Sequence, residues 1–408
     1  MSLIQEIMKI ICEPNDANNG EISIYSFTND NPPNNSIVLF GTDKIQRYKS
    51  AVKQLYEKMK IESLRMSLDC FTKILQQLIF SATLTEENIK SEIEKRSSQK
   101  YTTIGKIYGI NLKNQTSKYG KFQFVSKDYL FDFLNSEVPN APEDLFDDIR
   151  FPTLSHVGNE AINNIDFVYL LITCDALDSV YAKEQFDSES LSVVNALRYM
   201  AGIKHERIYI DTIENKAFME TYLQFAENGY VGEGSKINVK DIAITLDDDY
   251  FYSEENGNKQ IWLILSSPNR NALQKKIVRS IEWAGRSIHE VQNDIACTEV
   301  AFAFESLLKS NESDTPISAS IQGQIAETVA FICGNDKESR KNIIRIFKEL
   351  YSYRSSIAHG GSSSKKADYN LYFHMFKETL IQILCFSPYN KCETLKQLLE
   401  CVDDIKFQ

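Results

Sequence analysis

Residues 334–361, GNDKESRKNIIRIFKELYSYRSSIAHGG, decide how the C-terminal third of this chain reads. Stepping along a helix by about 100° per residue, Lys337, Lys341, Arg345, Lys348, Ser352, Ser355 and His359 fall in one stripe about 80° wide. Ile343, Ile346, Phe347, Leu350, Ile357 and Ala358 take the opposite face, so the spacing predicts an amphipathic helix over 336–359. Asn335, three residues before Glu338, fits a cap, and Gly360-Gly361 supplies a stop. Arg354 falls inside the apolar face. A cation there needs a partner, because an unpaired buried charge is strongly unfavourable. Glu305 is the expected one, since it interrupts the apolar run AFAFESLL at 301–308. On that reading the pair fixes helix register, and His359 is a favourable charge at the helix C-terminus.

Working outward, further helical patterns at 272–310, 318–333, 366–386 and 394–405 are separated by short polar interruptions, as in a bundle of antiparallel neighbours. Upstream the texture changes. In 1–150, strand-like runs at 22–27, 37–40, 104–111 and 121–125 alternate with helical patterns at 44–60 and 64–80. In 151–268, a strand at 167–173, a helix within 188–201 and a strand at 207–211 predict a βαβ unit. Segments 242–245, 247–249, 250–252 and 261–265 with a turn at 254–258 predict an antiparallel meander. Ser266-Ser267-Pro268-Asn269 marks the expected boundary. The predicted fold is therefore α+β and multi-domain: a mixed α/β region over 1–150 and 151–268, then an all-α helical bundle over 269–408.

The net charge of -11 over 408 residues argues against coating nucleic acid or an acidic membrane by bulk electrostatics. That charge is unevenly distributed. Residues 270–408 hold 18 Lys and Arg against 17 Asp and Glu, whereas the first 269 hold 27 against 39. No apolar run reaches the roughly 18 residues of a membrane span. The opening residues, with Glu6 inside their apolar stretch, do not read as a signal peptide, so the expected location is the cytoplasm. Eight scattered cysteines with no Cys-x-x-Cys pattern are expected to be reduced and buried.

The string Arg354-Ser355-x-x-x-His359-Gly360 resembles the R-x4-6-H signature of the HEPN superfamily. Its setting, with Ile281-Glu282-Trp283, then 301–308, then Leu350-Tyr351 leading into the string, is similar to the Apea-like branch. The resemblance covers about 269–408. It implies a dimeric, metal-independent endoribonuclease with no cofactor, of the kind found as toxins or anti-phage defence effectors. Other members are non-catalytic modules that dimerise and bind RNA, nucleotides or protein partners. The residue chemistry suits RNA cleavage. His359 titrates near neutrality and can serve as base or acid. Arg354 offers a permanently charged fork to phosphate. Ser355, four residues before His359, can donate to a phosphate oxygen or orient the imidazole. Glu305, Tyr351 and Gly360 are the expected supports, and Lys337, Lys341, Arg345 and Lys348 the expected RNA track. The acidic N-terminal region is expected to sense a trigger or bind an antitoxin partner. Arg354 and His359, five apart, lie about 140° from each other on a regular helix. Either the helix loosens at Ser355-Ser356 or Arg354 acts across a homodimer interface.

Other signals are weaker. Gly229-x-x-Gly232-x-Gly234-Ser235-Lys236 has the wrong order for a phosphate loop and reads as a flexible loop. Asp247-Asp248-Asp249 reads as a hairpin turn. Asp175 and Asp178 follow a predicted strand, where α/β proteins often bind ligands, and read as a solvated loop or a sensor pocket. His156, His205, His289 and His374 stand alone.

Overall fold

Apolar residues at helical spacing organise the first hundred residues around one core. A computed structural model describes residues 2–13, 24–28, 36–137, 166–205, 208–212, 218–226, 229–238, 242–309, 321–358 and 367–406. Helix α1 (Leu3–Cys12) starts with a reciprocal cap: Gln5 N–H donates to Ser2 Oγ and Ser2 N–H to Gln5 Oε1. An antiparallel pair, β1 (Ile24–Thr28) and β2 (Ser36–Phe40), leads into α2 (Thr42–Lys58), α3 (Leu68–Phe80) and α4 (Glu86–Glu94). Leu39, Tyr48, Leu55, Phe71, Leu75 and Ile89 are buried together.

The chain forms two compact units, 1–103 with 173–188, and 104–172 with 189–408. These limits differ from the expected divisions at 150 and 268. Strands β3 (Gln99–Tyr108), β4 (Ile110–Leu112), β5 (Thr116–Tyr119), β6 (Phe122–Ser126) and β7 (Phe167–Ala176) follow, with α5 (Leu130–Glu137) between the last two. One sheet has the order β3-β7-β6-β5, with Phe124 opposite Leu170. After α6 (Ser179–Ala201) come β8 (Phe218–Ala226) and β9 (Gly229–Asn238), paired antiparallel, and β10 (Ile244–Leu246), parallel to β4.

Several expectations are corrected here. Among the described residues no βαβ unit forms at 167–211, because β7 is flanked by β3 and β6. Ile208 and Asp211 instead bridge to Ile242 and Tyr108. The glycine-rich segment lies in strand β9 and is not a loop. Of the expected meander only its first segment is extended, in β10; the rest is helical: α7 (Asp248–Phe251) is capped by Asp247, and α8 (Asn258–Ser266) replaces the strand expected at 261–265. Trp262 explains α8. Its ring is fully buried, stacks on Tyr119 at 5.2 Å, and donates Nε1–H to the Phe251 carbonyl at 2.8 Å. The expected linker is anchored as well, since Lys121 N–H donates to Ser266 Oγ at 3.0 Å.

The C-terminal region is helical: α9 (Ala272–His289), α10 (Asn293–Leu308), α11 (Ile321–Cys333), α12 (Lys337–Ala358), α13 (Tyr369–Cys385) and α14 (Leu395–Lys406). The single helix expected over 272–310 is two. Polar residues interrupt the apolar period at 289–294, and the one apolar residue among them, Val291, is 87% exposed. Phe304 of α10 meets Phe347 of α12 and Phe376 of α13 edge-on at 5.1 and 5.2 Å, and all three are fully buried. No described helix is long and apolar enough to cross a membrane. None of the cysteines is in a disulfide, but only Cys70 and Cys297 are buried, fewer than expected.

Candidate functional site

Three helices of the second unit build the surface around Arg354. Helix α9 lies directly on α6 because Gly285 has no side chain: a Cβ there would sit 2.2 Å from the Asn195 carbonyl oxygen. Ser192 of α6 donates to Glu282 Oε1 at 3.2 Å beside that contact. Helix α10 packs along α9 and carries Phe302 and Glu305. Helix α12 is capped by Asp336 rather than Asn335, since Asp336 Oδ1 accepts from the backbone N–H of Glu338 and Ser339, each at 2.8 Å. A carboxylate there also opposes the positive end of the helix dipole. Near the other end, the Tyr353 hydroxyl donates to Asp294 Oδ1, which ties α12 to α10.

Arg354 meets the predicted partner. Its Nη2 lies 3.6 Å from Glu305 Oε1, with the two side chains 29% and 16% exposed. The same oxygen accepts the Tyr351 hydroxyl at 2.6 Å. Burial and the adjacent carboxylate push the Tyr351 phenol well above its ordinary pKa, so it stays a neutral donor. The guanidinium lies 5.2 Å from the Phe302 ring centre and 5.8 Å from that of Tyr351. Its Nε is buried without an acceptor. The group is therefore oriented by one carboxylate and two rings while keeping hydrogen-bonding capacity unspent.

Ser355 is half-buried. Helix α12 runs unbroken through Ala358, so the loosening considered at Ser355-Ser356 does not occur; Ser356 Oγ bonds back to the Tyr353 carbonyl at 2.8 Å within a regular helix. His359 and Gly360 lie outside the described residues. Lys337, Lys341, Arg345 and Lys348 are all exposed. Lys341 approaches Glu338 at 3.9 Å, and Arg345 pairs with Glu349 at 2.7 Å. Such surface pairs are weak and exchange readily for a competing anion.

Sequence reasoning missed the residues beside this site. Arg279, Trp283 and Arg286 lie at offsets of four and three on one face of α9. Arg286 sits 4.5 Å and Arg279 5.6 Å from the Trp283 ring centre, and Trp283 lies 5.1 Å from Phe302. The helical spacing of these three was the available signal.

The other candidates have structural roles. Asp178 Oδ1 accepts from Tyr181 N–H at the start of α6, and its Oδ2 from Ser67 N–H, both at 2.9 Å. Asp175 pairs with Arg65 at 3.3 Å. Asp247 holds Lys113 at 3.2 Å, and the Asp249 N–H, with that lysine second, keeps its carboxyl below the ordinary range. His289 packs against Tyr209 at 4.8 Å, His374 is exposed, and His156 lies outside the described residues. Among the described residues no group of three or more His, Cys, Asp or Glu is placed to hold a metal ion. Comparison with family models, curated proteins and solved structures finds no match to this chain.

Proposed function

We propose that this protein is a HEPN-type endoribonuclease, working as a toxin or anti-phage effector under the control of its acidic N-terminal region. The observation that carries the reading is Arg354: a half-buried guanidinium on the helix that leads to His359, aligned by Glu305 and Tyr351, with an Nε that has no acceptor. Nε itself is enclosed, so a phosphodiester accepts from the part of the guanidinium that stays exposed. In this reading His359 takes the proton from a ribose 2′-OH, and the oxygen attacks the adjacent phosphorus. Arg354 and Ser355 balance the charge gathering on the phosphoryl oxygens. The bond to the 5′-oxygen then breaks, leaving a 2′,3′-cyclic phosphate, and the leaving oxygen takes a proton. Two copies of the chain facing each other provide two histidines, one for each proton transfer. Lys337, Lys341, Arg345 and Lys348 guide the strand.

Incubation of the full chain with total RNA in EDTA tests this. Cleavage by the wild type that is lost in His359→Ala and Arg354→Ala is expected; cleavage that persists in both variants overturns these residue roles.

A second reading, a non-catalytic HEPN-like dimerisation and binding module, is favoured by the Glu305 contact and the two ring contacts, which also suit a purely architectural arginine. Under it, Arg354→Ala lowers stability and His359→Ala changes nothing.

A further inference from the structure

Arg354 is one end of a longer array. From the exposed surface of α9 towards α12, Arg279 and Arg286 lie over Trp283, Trp283 meets Phe302, Phe302 faces Arg354, and Arg354 faces Tyr351. Every step in the series is between 4.5 and 5.8 Å. Core packing does not require this arrangement: Arg279 and Arg286 are 65% and 54% exposed, and Trp283 and Phe302 are only partly covered. Trp262, by contrast, is fully enclosed with its indole N–H satisfied.

We infer that this array is a stacking platform for the bases of single-stranded RNA, which delivers the strand to Arg354. The inference rests on the reading of Arg354 as part of an RNA site. Unpaired bases bind proteins by stacking on aromatic rings and on guanidinium planes, and both surfaces alternate here. Each arginine has a carboxylate neighbour: Glu282 at 3.3 Å, Glu299 at 3.2 Å and Glu305 at 3.6 Å. The platform is therefore close to neutral, which favours base stacking over phosphate attraction as its source of affinity. Backbone attraction comes from the next strip of surface. Around the α12 axis Tyr351 lies about 60° from Arg354 on one side and about 60° from Lys348 on the other, so the platform borders the basic stripe. Aromatic groups beside a lysine track are what a single strand needs.

The test uses full-length His359→Ala protein, so that RNA stays whole, and follows tryptophan fluorescence for quenching and the anisotropy of an end-labelled strand for affinity, the second readout serving the variants that lack Trp283. The probes are a short oligoadenylate and an abasic ribose-phosphate strand of equal length. Oligoadenylate is expected to quench Trp283 and the abasic strand to leave it bright, while Trp283→Leu and Phe302→Leu each weaken oligoadenylate binding about tenfold. Equal affinity for the two strands overturns the platform without any change to its residues. So does unchanged affinity in a folded Trp283→Leu protein. Sedimentation showing that Trp283→Leu turns a dimer into monomers overturns it too, by assigning the face to a second copy. If base-dependent quenching occurs and the wild type leaves RNA intact in EDTA, the platform stands and the nuclease reading falls. If the wild type cuts RNA but binds both strands equally, the reverse holds.

Discussion

The Tyr351 hydroxyl donates to Glu305 Oε1 at 2.6 Å, the same oxygen that faces the Arg354 guanidinium. One carboxylate oxygen thus organises two side chains of α12 from α10. Tyr351→Phe removes the hydrogen bond but keeps the ring, its stacking on Phe347 and its contact with Arg354. A half-buried hydrogen bond to a carboxylate contributes about 1 to 2 kcal/mol, so thermal or urea unfolding should show a loss of that size. In the proposed nuclease reading, RNA cleavage should fall less than in Arg354→Ala, because the cation remains. An equal loss of cleavage in the two variants would mean that the hydroxyl itself meets the RNA.

The Glu305–Arg354 contact was legible in the sequence because each residue breaks an apolar face, and a buried charge has few ways to be satisfied. The identity of α8 was not. The run Ile261-Trp262-Leu263-Ile264-Leu265 is too short for apolar periodicity to separate helix from strand. What decides it is tertiary: the Trp262 ring lies among Tyr119, Phe122 and Phe124, distant in sequence. Segment 208–211 failed as a strand partner of β7 for a similar reason. Its neighbours are set by Arg198, whose Nε–H donates to the Ile210 carbonyl at 2.7 Å, and no local pattern marks that contact.

Arg198 also carries a stability prediction. Its side chain is 6% exposed, its Nη2 pairs with Asp211 Oδ2 at 2.8 Å, and its Nη1 donates to Asn195 Oδ1 at 3.2 Å. Burial pulls its pKa below the ordinary arginine value, while Asp211 opposes that shift. Arg198→Met keeps much of the volume but strands Asp211, and removing one partner of a buried pair costs about 3 kcal/mol or more. Chemical unfolding should show a loss of that order. Arg198→Met with Asp211→Asn should recover part of it, since no buried charge is then left alone. A double variant no more stable than the single one would show that the carbonyl contact, not the ion pair, is what matters.

Glu299 makes stability depend on pH in the unusual direction. It is buried on α10, and its Oε2 has no hydrogen-bond partner. Burial raises its pKa above the ordinary carboxyl value; Arg286 and Lys204 oppose the rise and Glu290 adds to it. A carboxyl whose pKa is higher in the folded state binds its proton more tightly there. Its favourable contribution is complete below the unfolded value, about 4.3, and is lost as the pH climbs through the folded value. At neutral pH the ionised group therefore opposes folding, and its ion pair with the exposed Arg286 returns little. Glu299→Gln removes the titration at nearly constant shape. The variant should melt higher than the wild type at pH 7, and the two melting curves should converge as the pH falls towards about 4. A gap that stays constant across this range would mean that Glu299 does not titrate there, and that its burial is balanced by the Arg286 contact alone.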